Sequence, residues 1–188
     1  PNLLTDKIME KWPELRLYST YASTEMSTTF TECDAQQGGH HHPELIITEV
    51  LDDEGNPLPY GQLGELTITT LGVEGMPLLR FRTGDMVTLH DTPCSCGRNT
   101  LRVSPVVGRK QQMIKYKGTT LYPPALMDLL TEFAQVENYI IEISSNEILT
   151  DEILIKIGTC EPSEALKEEI ANHFRAKMRV VPKIEFYP

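Results

Sequence analysis

Residues 152–187, EILIKIGTCEPSEALKEEIANHFRAKMRVVPKIEFY, read as strand, helix, strand. EILIKIGT (152–159) is rich in β-branched residues, which suit a pleated, half-buried surface. In PSEALKEEIANHFRAKM (162–178), Leu166, Ile170, Phe174 and Met178 recur every fourth residue and form one apolar helical face. KIEFY (183–187) is a closing strand. Working back along the chain, NYIIEISS (138–145) is a strand joined to 152–159 by a polar turn. PPALMDLLTEFA (123–134) is a helix with Pro in its first turn, where a missing N–H leaves no bond unmade. MIKYK (113–117) is a short strand. The order is β-α-β-β-α-β, a small α+β sandwich of about 75 residues.

Before residues 109–112 the pattern becomes β-rich. LIITEVLD (45–52) and GELTITTL (64–71) are strands, and DEGNP (53–57) is a turn, because Gly and Pro sit where a strand cannot continue. PLLRF and MVTLH flank Thr83-Gly84-Asp85, which predicts strand, turn, strand. RLYST (16–20) is expected as a short strand, DKIMEKW (6–12) as the end of a helix, and the polar stretch 24–43 as loop. Trp12 is assigned to core or domain packing, Cys160 to packing at a strand end, and His90 and His173 to the surface. The expected fold is α+β, with residues 1–110 as one unit and 111–188 as a second.

The composition supports a packed protein and narrows its partners. Of 188 residues, 40% are hydrophobic, enough for a core. The formal charge is −10, the opposite of the basic footprint that broad nucleic-acid binding needs. No apolar run approaches the roughly 20 residues of a membrane span. PNLLTDKIMEKWPEL lacks the regions of a signal peptide, so neither a membrane nor a nucleic acid is an expected partner. The first residue is Pro1, not Met, which fits a portion of a longer chain. Cys33, Cys94, Cys96 and Cys160 are too sparse for a disulfide scaffold and point to a reducing cytoplasm, as thiols or metal ligands.

Three segments carry chemistry. In Tyr21-Ala22-Ser23-Thr24-Glu25 a ring can stack on a base, a hydroxyl can bond a phosphate oxygen, and a carboxylate can hold Mg²⁺, a hard cation. The bland alternative is a solvated loop. In Phe81-Arg82-Thr83-Gly84-Asp85, Gly permits a tight turn that would fix Asp85 as a double acceptor for the hydroxyls of a ribose. The alternative is a plain hairpin turn. Gly108–Gly118 (GRKQQMIKYKG) holds four basic residues and no acid, and Arg binds phosphate with a planar fork.

In this order the segments resemble the adenylate-forming enzymes. YASTE is similar to that family's Tyr-Gly-x-Thr/Ser-Glu loop, Gly64-Glu65-Leu66 to its Gly-Glu-Leu strand, and FRTGD to its aromatic-x-Thr-Gly-Asp turn. GRKQQMIKYKG followed by Tyr122-Pro123 is similar to its hinge segment. ECDAQQGGHHHPELIITEV (32–50), TTLGVEGMPLLRFRTGD and the following CSCGR resemble the phenylacetate–CoA ligase subgroup. The resemblance implies that Tyr21 lies on the adenine, with Ala22 beside it in the nucleotide loop, that Thr24 contacts the AMP phosphate, and that Glu25 holds Mg²⁺. Asp85 would bind the ribose hydroxyls and Arg109 the ribose and phosphate, while the small domain would turn about Gln111. Thr24 and Glu25 would be the catalytic pair. Ala22 stands where the family usually has Gly, and Gln111-Gln112 where it usually has acids.

The implied activity is ATP-dependent activation of a carboxylic acid, aryl by subgroup, to an acyl-AMP and its transfer to coenzyme A. The cofactors are ATP/AMP, Mg²⁺ and coenzyme A; a homodimer is left open. No phosphate loop precedes YASTE and no lysine segment follows KIEFYP, so this stretch alone is expected to be inactive. The alternatives are a ligase with another acceptor (coenzyme F390 synthetase-like or amino-acid activating) and a non-enzymatic zinc-stabilised binding module.

Cys33, His40, Cys94 and Cys96 form a metal candidate. Three thiolates and one imidazole suit tetrahedral Zn²⁺, and four protein ligands leave no open position, so its role would be structural. The two halves lie about 60 residues apart and would need a meander of strands to meet. In the resembled subgroup a Glu-Cys…Gly-x-His loop occurs, and His40, not His41 or His42, falls on its His. The alternative is free thiols near a His-rich loop.

Overall fold

A computed structural model describes residues 3–116, 118–145 and 151–187. It divides into two compact units, Met9–Gln111 and Gln112–Pro188, the latter grouped with the N-terminal Pro1–Ile8. Helix α1 (Leu3–Lys11) opens the chain.

The first unit is one sheet. Its strands are β1 (Thr20–Ala22), β2 (Thr29–Thr31), β3 (Gly39–His40), β4 (Ile46–Leu51), β5 (Leu63–Thr70), β6 (Phe81–His90), β7 (Arg102–Val103) and β8 (Gly108–Arg109). The order is β1-β2-β3-β7-β6-β5-β4, with β8 paired to β6. Phe30, Ile46, Leu66, Ile68 and Val87 form its core, each at most 1% exposed. Alternation along β6 buries Asp85, Val87 and Leu89 on one face, the period-2 signature of a strand with one covered side.

Several expectations for this unit are corrected. Thr83-Gly84-Asp85 is not a hairpin turn. It lies inside the continuous strand β6, opposite a register shift in β5: Glu65 pairs Met86, whereas Thr67 pairs Arg82. Leu66 alone on β5 thus faces three residues of β6, Thr83, Gly84 and Asp85, a bulge that Gly84 accommodates at φ 79°. RLYST does not form a strand over 16–20; the strand begins at Thr20 and runs to Ala22. The stretch 24–43 is not all loop, because Thr31 pairs His40 and His40 pairs Arg102. Those pairings rest on partners distant in sequence, which local polarity does not reveal. Trp12 is 45% exposed rather than packed in a core, with the Lys11 ammonium over its ring.

The second unit is mixed. The hairpin β9 (Ile114–Tyr116) and β10 (Thr119–Leu121) precedes α2 (Pro123–Thr131), then β11 (Asn138–Ser145), β12 (Asp151–Gly158), α3 (Glu164–Met178) and β13 (Lys183–Tyr187). β10 is an addition to the expected order. β12 is central, antiparallel to β11 and parallel to β13, so α3 serves as the crossover that parallel strands require. The polar turn expected at 146–150 lies outside the described residues. Ser163 caps α3 by accepting from the Leu166 N–H at 3.2 Å. Leu166, Ile170 and Phe174 are buried from that helix against Leu126, Leu130, Ile155 and Ile157. Cys160 is exposed rather than packed, because it lies past the end of β12.

Candidate functional site

The bulge in β6 fixes Asp85. Its N–H donates to the Thr83 hydroxyl oxygen at 3.1 Å, and that hydroxyl donates to the Leu66 carbonyl at 3.0 Å. The Tyr21 hydroxyl donates to Asp85 Oδ2 at 2.6 Å, and Arg109 Nε lies 3.2 Å from Oδ1. Strand pairing sets both partners: β1 carries Tyr21, and Arg109 pairs Asp85 across β8 and β6. The Tyr21 ring stacks on Phe30, with centroids 5.8 Å apart and planes 22° apart. Burial, and then the bond to Asp85, push the Tyr21 phenol well above its ordinary range, so it stays a donor.

Ala22 ends β1 with its side chain exposed. Thr24 and Glu25 follow on a single 3₁₀ turn, Thr24–Met26, pinned by buried Met26. Both side chains are exposed. The Glu25 carboxylate is held below its usual range, chiefly by its own backbone N–H, with a contribution from the Arg109 charge. Gln111 is exposed on the 3₁₀ turn Lys110–Gln112, where the first unit ends. Tyr21, Asp85 and Arg109 are thus brought into direct contact, while Thr24, Glu25 and Gln111 face solvent on their own turns.

Sequence reading missed a second ionic group. Buried Glu65 receives Arg82 at 2.6 Å and Lys110 at 3.3 Å, and Lys110 also reaches Asp53 at 2.5 Å. Arg82 and Lys110 sit inside the FRTGD and GRKQQ segments, so position within the segments was the available signal. The Asp53 partner raises the Lys110 pKa first, and Glu65 adds to it.

Cys33, His40, Cys94 and Cys96 present ligand atoms that all lie within 4.8 Å of one another. Cys33 Sγ is 3.5 Å from Cys94 Sγ, and Cys96 Sγ is 3.5 Å from His40 Nε2. A tetrahedral site with metal–sulfur bonds of about 2.3 Å places its ligand atoms roughly 3.5–3.8 Å apart, so the donor set and its spacing fit zinc. His40 Nδ1 contacts the Thr100 hydroxyl at 2.9 Å, which leaves Nε2 aimed at the thiols. The antiparallel pairing of β3 with β7 closes the distance between the two halves. Gly39 makes this possible: a Cβ there would stand 2.6 Å from the Phe30 backbone. A cavity of about 590 Å³, lined by Tyr18, Glu32, Cys33, Asp34, Cys96 and Arg98 among others, opens beside the cluster.

Local electrostatics differ across the cluster. The Arg98 backbone N–H draws the Cys96 thiol down to about 7. The Ala35 N–H acts the same way on Cys33, but burial and the neighbouring thiols outweigh it and raise the pKa. Burial, then Arg98 and Arg102, lower that of His40 and favour the neutral imidazole a metal needs. His42 instead pairs with Glu44 at 3.3 Å, and Cys160 interacts with Glu137. His90 meets Thr88, and His173 meets Glu132 at 2.8 Å.

No protein-family model matches the chain. A solved structure of 2-hydroxyisobutyryl-CoA ligase, in its postadenylation state in complex with R3-HIB-AMP, superposes with a TM-score of 0.81 at 25% identity. It covers 97% of this chain and 41% of that one. The fold is therefore that of the adenylate-forming CoA ligases. More narrowly, the chain is a relative of the phenylacetate–coenzyme A ligases. It is 35% identical over 147 residues to the one from Thermus thermophilus, covering 74% of this chain and 33% of that protein. With the ligase of Aromatoleum evansii it shares 29% over 154 residues, 77% of this chain and 33% of that protein. The chain spans about a third of the length of these curated relatives.

Proposed function

We propose that the protein carrying this chain is an ATP-dependent acid–thiol ligase. A carboxylate oxygen attacks the α-phosphorus of ATP, the bond to pyrophosphate breaks, and the acyl-AMP so formed is attacked at its acyl carbon by the thiol of coenzyme A, releasing AMP. Residues 1–110 act as the end of the large adenylate-binding domain and 111–188 as a small mobile domain that turns about Gln111.

The observation that carries this reading is the engaged Asp85 carboxylate, nine-tenths buried at the bulge between Tyr21 and Arg109. Asp85 accepts the ribose hydroxyls, the free face of the Tyr21 ring lies on the adenine beside Ala22, and Arg109 reaches ribose and phosphate. Thr24 donates to the AMP phosphate. Glu25, an exposed ionised carboxylate, suits Mg²⁺, which supplies charge neutralisation at the phosphates when bound. Cys33, His40, Cys94 and Cys96 hold a structural zinc. The substrate is a small acid, aryl by analogy with the phenylacetate-activating relatives. Cysteines that are metal ligands or thiols and not disulfides are in keeping with a cytoplasmic enzyme. Among the described residues no helix is long and apolar enough to cross a membrane.

The test is ATP–pyrophosphate exchange by the whole protein against a panel of aryl and alkyl acids. Exchange is expected with an aryl acid. Asp85→Ala should weaken ATP binding by about 1.5–3 kcal/mol for each charged hydrogen bond lost. Exchange with none of the acids, or ATP affinity unchanged by Asp85→Ala, overturns the assignment.

A further inference from the structure

Asp85 already has two partners from its own chain, one on each oxygen: the Tyr21 hydroxyl on Oδ2 and Arg109 Nε on Oδ1. An ionised carboxylate offers about four acceptor positions, so each oxygen keeps one free. Two free acceptors on adjacent oxygens match a vicinal diol, whose hydroxyls donate side by side. That match holds only while the plane of the carboxylate is fixed.

Both ends of the Tyr21–Asp85 bond rest on rigid elements. Tyr21 stands directly opposite Phe30 across β1 and β2, and its ring stacks on the fully buried Phe30. Asp85 is held through Thr83 on the bulge. Arg109 differs, because its side chain is 66% exposed and has no such packing around it. Strand pairing sets the backbone of both partners, but of the two only Tyr21 has its side chain packed against the core of the sheet.

We propose that the Tyr21 hydroxyl is a positioning group. It holds the Asp85 carboxylate in the orientation that accepts both hydroxyls of a ribose, and so makes the site select ribonucleotides over deoxyribonucleotides. This rests on the nucleotide reading above but assigns the hydroxyl a duty separate from the ring's contact with the base. Without the bond, the carboxylate turns toward the exposed Arg109 and loses its double-acceptor geometry. The ring itself, stacked on Phe30, stays where it is.

The test measures dissociation constants of ATP, 2′-deoxy-ATP, 3′-deoxy-ATP and GTP for the whole protein, for Tyr21→Phe and for Asp85→Asn, with melting temperatures alongside. The wild type should prefer ATP over each deoxy analogue by about tenfold, the equivalent of one good hydrogen bond. Tyr21→Phe should cut that ratio at least to about a third while leaving the ATP-over-GTP ratio and the melting temperature near wild type. Asp85→Asn should abolish it. If Tyr21→Phe keeps the wild-type ribose ratio, or weakens all four nucleotides alike, the positioning role is overturned and the nucleotide site stands. If the wild type binds ATP and its deoxy analogues equally, or does not bind ATP, the ribose reading itself falls, and the positioning role with it.

Discussion

In the unit ending at Pro188, Leu126, Leu130, Ile155, Ile157, Ile170 and Phe174 are wholly inaccessible and meet in one apolar cluster between two helices and a sheet. In Met9–Gln111 the apolar core is a layer of strand residues, and His40, Glu65, Asp85 and Arg102 are buried with it. Each of those needs a partner, since a buried polar group left unpaired costs free energy comparable to a lost hydrogen bond. Glu65 has Arg82 and Lys110, and Arg102 donates to the carbonyls of Gln37 and Thr92. Asp85 has Tyr21 and Arg109, and His40 has Thr100. A unit tied this way should respond to metal, chelator and salt. A unit packed on apolar volume should respond to side-chain size. The polar ties are also where the candidate chemistry lies.

The sharpest way to break the contrast is to remove the proposed zinc. Ligand binding to the folded state alone stabilises by about 4 kcal/mol when free ligand stands 1,000-fold above its Kd. Chelation, or Cys96→Ser, should therefore lower the melting transition of Met9–Gln111 by several kcal/mol and leave that of the second unit in place. Metal analysis should find about one zinc per chain, kept by Cys160→Ser and lost by Cys96→Ser. Two-transition calorimetry with and without chelator checks this. A zinc-free preparation with the same first transition would remove the metal from the account.

The reciprocal change is Phe174→Ala. The side chain is fully buried on α3, and truncations of this kind cost about 3–5 kcal/mol, part transfer and part cavity. The second transition should fall by that amount while zinc content stays unchanged. Loss of zinc in this variant would mean that the two units do not melt independently.

Much of this contrast is legible in the residues. The fourfold spacing of Leu166, Ile170 and Phe174 announces α3, and β-branched runs announce β4, β5 and β12, because each signal is local and repeats. The bulge was not legible: a glycine at positive φ reads the same in a hairpin turn and in a bulge, and only the pairing of β5 with β6 tells them apart. The same limit hid β2 and β3, whose pairings reach across the chain. Residue type nominated Cys33, His40, Cys94 and Cys96, but their meeting depends on the register His40 to Arg102. Glu65, Arg82 and Lys110 went unnoticed because 17 and 45 residues separate the partners.

A smaller effect sharpens the picture within the second unit. Ser163→Ala removes the N-cap of α3, which typically costs about 1 kcal/mol. For a unit of this size that lowers the second transition by roughly 4–8 °C. Ser163→Asp should restore it, because a carboxylate accepts the same N–H and favours the positive helix end. A variant series read by circular dichroism melts checks both, with the first transition as internal reference.

The smallest expected effect belongs to Lys110→Ala. Its ammonium bridges Asp53, 78% exposed, and Glu65, which keeps Arg82 at 2.6 Å when Lys110 is gone. The buried carboxylate is therefore never left alone, and what disappears is a partly solvated pair worth about 0.2–1 kcal/mol. At 1 M salt the screening length shrinks to about 3 Å, so the difference between wild type and variant should shrink further. Urea unfolding of the first unit at low and high salt measures it. A loss above about 2 kcal/mol that does not change with salt would place the bridge in the class of desolvated charge pairs. Lys110, one residue before the unit boundary at Gln111, would then be as firmly tied to the sheet as Arg82.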